Sequence, residues 1–209
     1  MIKKLSLVLV LLFTIMSFGQ KKFNRLSIET GYGYVSPSKL YGTDFSKGDF
    51  SGFNHFDIGM RYMIKSNFGV KLNYASDIFS KGDAGVSYNT INASAVYNIG
   101  SLFDLYYMTY EKIGLLGRVG LGVTFANPES ISDYERIGSA TIGLTPQVKL
   151  SQRISIYGDL AYTLNFKQHY GFDGVLLDKD YESKVGNIMV LSVGLIFYVG
   201  ENSMHADWY

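Results

Sequence analysis

The chain has 209 residues, no cysteine and a formal net charge of +1. The missing cysteine excludes disulfide staples, thiolate metal sites and a lipid-modified N-terminal Cys, and the near-neutral charge offers no electrostatic case for nucleic acid or a strongly acidic partner. With 17 Tyr, 14 Phe and 23 Gly against only 3 Pro, the composition suits many long strands.

The first residues address the chain. Lys3 and Lys4 precede an apolar run from Leu7 to Met16, and Ser17-Phe18-Gly19 puts small residues where a signal peptidase inspects. The run is too short to span a bilayer comfortably. Residues 1–19 are therefore predicted to be a signal peptide, with cleavage before Gln20. What remains is one domain by length.

Alternating segments follow. The first, Phe23 to Tyr34, sets Leu26, Ile28, Tyr32 and Tyr34 against Arg25, Ser27, Glu29, Gly31 and Gly33. The second sets Phe56, Ile58, Met60 and Tyr62 against His55, Asp57, Gly59 and Arg61. After a Lys65-Ser66-Asn67 turn, Phe68, Val70, Leu72 and Tyr74 alternate with Gly69, Lys71, Asn73 and Ala75. A weaker fourth strand carries Ile91, Ala93, Ala95 and Tyr97. Within the next connection, Leu102, Phe103, Leu105 and Tyr106 predict one or two amphipathic helical turns at the membrane surface.

The fifth strand places Ile113, Leu115, Val119, Leu121, Val123 and Phe125 opposite Gly114, Arg118, Gly120 and Thr124. The sixth has Ile142, Leu144, Val148 and Leu150 facing away from Thr141, Thr145, Gln147 and Lys149. Pro146 cannot donate a ladder hydrogen bond, which predicts a bulge there. The seventh carries Ile154, Ile156, Leu160, Leu164 and Phe166 against Ser155, Tyr157, Asp159 and Asn165. The eighth, Ile188 to Gly200, has Met189, Leu191, Val193, Leu195, Phe197 and Val199 on its oily parity.

Successive side chains of a strand point to opposite faces, so each segment has one oily and one mixed face. No helices are available to cover the oily faces. A closed barrel with those faces toward lipid resolves the problem. The alternating cores run about 9–12 residues, the length a tilted strand needs to cross hydrocarbon. Short connections after the second and sixth segments, with long polar ones after the first and seventh, suit periplasmic turns and outer loops. The fold class predicted is all-β, an eight-stranded antiparallel up-and-down transmembrane barrel spanning residues 20–200, with 201–209 as a periplasmic tail.

The other parity collects Glu29, Asp57 and Asp159 with Arg61, Lys71 and Arg118; Arg25 and Lys149 are expected at the rims. An eight-stranded interior is only wide enough for side chains, and an unpaired buried charge costs several kcal/mol. These residues predict a salt-bridged, plugged lumen.

Catalysis finds little support. His55 lies two positions from Asp57 without a partnered nucleophile. His169 falls in an outer loop with Tyr170, Phe172 and Tyr181, where surface contacts are the expected use. Asp178, Asp180 and Glu182 read as a solvated acidic loop sooner than as an oxygen-ligand cation site. Gly117 to Gly122 lacks the spacing and the following helix of a phosphate loop. No catalytic, metal or cofactor residues are assigned.

Ile113-Gly114-Leu115-Leu116, Ile142-Gly143-Leu144-Thr145-Pro146-Gln147, Gln168-His169-Tyr170, Phe172-Asp173-Gly174 and His205-Ala206-Asp207-Trp208-Tyr209 carry a resemblance. The chain resembles the N-terminal barrel domain of OmpA-type outer-membrane proteins. That resemblance implies a non-enzymatic barrel of the outer membrane, with roles in integrity, adhesion or surface recognition. In longer relatives an ending like this one leads to a peptidoglycan-binding domain; the resemblance does not extend to wall binding. Ser192, Gly194, Phe197 and Val199 also resemble the closing-strand signal read by the barrel-assembly machinery. Expected partners are that machinery, outer-membrane lipid and lipopolysaccharide, and a surface partner of unknown identity. The alternatives are a small channel or ligand-carrying barrel and, less favoured, a lipid-modifying enzyme. The mature protein is expected to begin at Gln20, which intact-mass measurement of the exported chain checks; a protein still carrying residues 1–19 contradicts it.

Overall fold

The computed structural model describes residues 23–131, 133–178, 180 and 182–208. The expected signal peptide, like Tyr181 and Tyr209, lies outside the described residues. Period-two alternation resolves into β1 (Leu26–Pro37), β2 (Gly52–Met63), β3 (Phe68–Lys81), β4 (Ala84–Asn98), β5 (Ile113–Pro128), β6 (Glu135–Lys149), β7 (Ile154–Gln168) and β8 (Lys184–Val199). Each strand pairs antiparallel with the next, and β8 closes on β1 from Leu26↔Val199 to Pro37↔Ile188. Closure satisfies the edges that an open sheet would leave unpaired.

Side chains sort as the alternation requires. Leu121, Val193 and Ile142 are 71%, 65% and 62% exposed on the outer face, whereas Glu29, Arg61, Lys71 and Ser192 are buried inside. An apolar belt around the whole circumference is far larger than a soluble monomer exposes; it is the surface a barrel presents to lipid. No helix among the described residues is long and apolar enough to cross a membrane. The strands do the crossing.

The two ends differ. At the turn end, residues 64–67 and 150–153 are short links. The 99–112 connection there forms a 3-10 turn (Ile99–Phe103) and one helical turn (Leu105–Met108), in keeping with the helical turns expected. At the loop end, β3 and β4 run on to a two-residue turn at Gly82 and Asp83, where Gly82 takes a left-handed φ of 63°. Here Val35, Phe50, Phe79, Val86, Tyr88 and Phe172 pack into an apolar lid, with ring centroids of Phe79 and Phe172 4.9 Å apart.

Two expectations fail. Phe172 is fully buried in the lid and makes no outer surface. Its loop folds back because Phe172 N–H donates to Leu40 O at 2.7 Å and Asp173 Oδ2 accepts from Gly42 N–H at 2.7 Å. Pro146 makes no bulge either. The β5–β6 register runs unbroken through Leu115↔Pro146. On its other side, the β6–β7 pairing skips from Leu144↔Leu160 to Gln147↔Tyr157 without a change of register. Gly158 lies in that gap, and a Cβ there would sit 3.9 Å from Pro146 Cγ. The proline is absorbed by missing rungs opposite a residue without a side chain, so no extra residue is needed.

An arginine at Leu121, midway along β5, should lower the unfolding free energy in lipid vesicles by about 2–4 kcal/mol if that face meets hydrocarbon near the bilayer midplane. An exposed site on a water-facing surface would move by no more than about 0.5 kcal/mol, so denaturant unfolding of Leu121→Arg separates the two.

Candidate functional site

Arg61 on β2 and Lys71 on β3 stand directly opposite each other across the ladder, an arrangement that by itself repels. Both point into the lumen and are buried. Glu29 of β1 relieves the repulsion. Its Oε1 accepts from Arg61 Nε at 2.6 Å, and its Oε2 lies 2.6 Å from Lys71 Nζ. The fork of the guanidinium is taken by Asp207, whose oxygens accept from Nη1 at 2.5 Å and Nη2 at 2.8 Å. Two parallel charge-assisted bonds give this pair strength and direction.

Asp207 comes from beyond β8. The chain turns at Gly200 (φ 144°) and re-enters the barrel mouth. Asn24 N–H donates to Met204 O at 2.8 Å, and Ala206 N–H donates to Asn24 O at 2.9 Å. Asn98 Nδ2 donates to Asp207 O at 3.1 Å, and the Tyr198 hydroxyl donates to Asp207 Oδ2 at 3.2 Å. Trp208 is buried beside Tyr106 and Tyr198, with Lys149 Nζ 5.6 Å from its ring centroid. Burial by itself would raise the Asp207 carboxyl. The Arg61 guanidinium, assisted by His205, outweighs that and holds it well below the usual carboxylate range. A carboxyl depressed on folding stabilises the fold above its unfolded pKa of ~3.9, and the contribution is lost as pH falls toward the folded value. This pair therefore persists across neutral pH.

Further up the lumen, Arg118 of β5 reaches over β6 to β7. Its Nη2 lies 2.7 Å from Asp159 Oδ2, and Thr145 Oγ1 donates to Asp159 Oδ1 at 2.6 Å. The side chain passes above Gly143, where a Cβ would come within 2.9 Å of Arg118 Nε, so glycine lets it pass without shifting. Next to this pair, His55 Nδ1 is 2.7 Å from Asp77 Oδ1, and Nε2 is 3.4 Å from Asp57 Oδ2. The Tyr157 hydroxyl is 3.5 Å from the same Asp57 oxygen. Between these groups lies a cavity of about 50 Å³, also bordered by Asn73 and Asn165. A water needs roughly 10–15 Å³ on this measure, so the space takes a few waters and not a lipid.

Of the six charges expected to share the lumen, Glu29, Arg61 and Lys71 meet in one cluster and Arg118 meets Asp159 in another. Asp57 lies against His55 and Tyr157 instead of a permanent cation. Arg25 and Lys149 are half-buried at the turn-end rim. Asp77 and Asp207 were not anticipated. Asp77 keeps the inward parity of Lys71 and Ala75, so extending the third segment finds it; nothing local marks Asp207. On the closing strand, Ser192 faces the lumen and Gly194 lies under the Tyr157 ring. Phe197 and Val199 point outward at the turn end, paired with Ile28 and Leu26. In the loops, Glu135 Oε1 accepts from His169 N–H at 2.8 Å and lies 2.5 Å from its Nδ1. Among the described residues no group of three or more His, Asp or Glu is arranged to hold a metal ion.

Solved structures share this architecture. Neisserial surface protein A aligns with a TM-score of 0.55 at 15% identity, covering 83% of this chain and 97% of that one. A major outer membrane protein from Thermus thermophilus gives 0.51 at 12% identity, over 84% and 99% of the two chains. The N-terminal β-barrel domain of Pseudomonas aeruginosa OprF gives 0.48 at 15% identity, over 85% and 100%. No family model and no curated protein matches the chain. Identities this low speak for the fold alone, and the fold is that of the eight-stranded outer-membrane barrels, as the OmpA-type resemblance implied.

Replacing Arg118 with Ala leaves Asp159 buried without its cation, and losing one partner of a buried pair costs about 3–5 kcal/mol. The loss should appear as a lower temperature for the heat-induced mobility shift on electrophoresis. An unchanged temperature would mean that Asp159 is solvated.

Proposed function

We propose that this chain is a non-enzymatic, structural barrel of the outer membrane with a plugged polar lumen. In this reading a signal peptide exports it, and the assembly machinery reads Ser192, Gly194, Phe197 and Val199. The turn end faces the periplasm. The loop end meets lipopolysaccharide and any surface partner, in support of envelope integrity. The observation that carries the reading is the lumen's filling at three levels: the Arg61 cluster with Asp207, the Arg118–Asp159 pair, and the lid of Phe79, Tyr88 and Phe172. With about eight strands there is no spare width once such side chains are in place.

Two further features support it. Both ring nitrogens of His55 face carboxylates, so neither is placed to take a proton from a hydroxyl, which weighs against the lipid-modifying alternative. The lumen cavity of about 50 Å³ is far below the roughly 300–1,000 Å³ of ordinary ligand sites, which weighs against a ligand-carrying barrel.

Purified protein in planar bilayers should conduct little, with at most brief flickers as pairs break. A steady, ion-selective conductance from the wild-type chain would overturn the plugged reading in favour of a small channel.

A further inference from the structure

We propose that residues 204–208 are a hinged plug that seats in and withdraws from the turn-end mouth, with the Asp207–Arg61 pair as its latch. The inference rests on the closed-lumen reading above. The segment is attached unlike the strands around it. It hangs from Gly200, whose φ of 144° suits glycine, through the exposed residues 201–203. Its backbone is tied to the barrel by two main-chain hydrogen bonds to Asn24 and by Asn98 Nδ2 donating to Asp207 O at 3.1 Å, while the Asn24 side chain holds the linker at Asn202. The β1–β8 ladder is complete from Leu26↔Val199 onward, so the wall of the mouth keeps its pairing when the plug leaves.

The seat is also imperfect. Trp208 Nε1, His205 Nε2 and Gln147 Oε1 are buried without a hydrogen-bond partner among the described residues, and each such atom forfeits its bonds to water on seating. Against these penalties stand the bidentate latch and the packing of Trp208 on Tyr106 and Tyr198. Seating is thus a balance to which the Asp207 carboxylate contributes through Arg61, Tyr198 and Gln147.

Trp208 is the only tryptophan in the chain, so its fluorescence reports the plug directly. In full-length, lipid-embedded protein, acrylamide should quench wild-type Trp208 weakly. Asp207→Asn should raise the quenching constant several-fold while the protein keeps its folded mobility on electrophoresis. Asp207→Glu, which keeps the carboxylate, should stay near the wild-type value. A folded Asp207→Asn barrel as shielded as wild type overturns the proposal. Should that variant not fold, amide exchange in the wild-type protein decides. The Ala206 amide should exchange much faster than the neighbouring strand amides of Ser27 and Tyr198, and equal protection overturns the plug. A steady wild-type conductance would defeat the closed lumen and leave these results standing, whereas a shielded, folded Asp207→Asn would defeat only the plug.

Discussion

Arg61 stands buried inside this barrel, facing Lys71 across the ladder. Much else follows from that placement. Two like charges cannot be buried as neighbours unless carboxylates intervene. Glu29 bridges them from one side, and Asp207 binds the remaining fork of the guanidinium. The pair on β2 and β3 therefore explains why a segment beyond the last strand turns back into the mouth. Glycines make the arrangement sterically feasible. A Cβ at position 143 would press on the Arg118 side chain along its path to Asp159.

The two ends are packed by different physics. At the turn end, polar and charged groups hold the contacts, so their strength depends on the protonation and geometry of a few atoms. At the loop end, aromatic rings pack by burial and edge contacts, each ring pair adding about 0.5–1.5 kcal/mol beyond its area. Phe79 contacts both Tyr88 and Phe172. Packing of the first kind responds to its ionic surroundings; packing of the second kind is largely indifferent to them. A barrel with one of each has a definite direction even though its sheet is nearly uniform along its length.

The fold was legible because period two is a local signal. Each residue's face follows from its position in one strand, and the oily parity from Leu26 to Val199 is the lipid face throughout. The partners inside were less legible because they depend on register between strands. Arg118 meets Asp159 two strands away, while Asp57, on the same strand as Arg61, meets His55 and Tyr157. Pro146 was read for what it cannot donate, but the response of the ladder depended on Gly158 across from it. Asp207 was beyond reach for another reason: it lies outside any periodic segment, and only the three-dimensional return of the chain gives it a partner.

Phe172 draws residues 169–178 down onto the tip of β3 and the segment around Leu40. The 38–51 loop contributes Phe50 to the same cluster, beside Tyr41 and Phe45. These two segments, far apart in sequence, thus share one apolar core. Recognition by flexible loops must overcome the entropy of ordering them, at about 0.5–1.5 kcal/mol for each side chain immobilised. A surface packed in advance avoids much of that loss. The same coupling restrains change: a substitution under one loop alters the shape presented by the other.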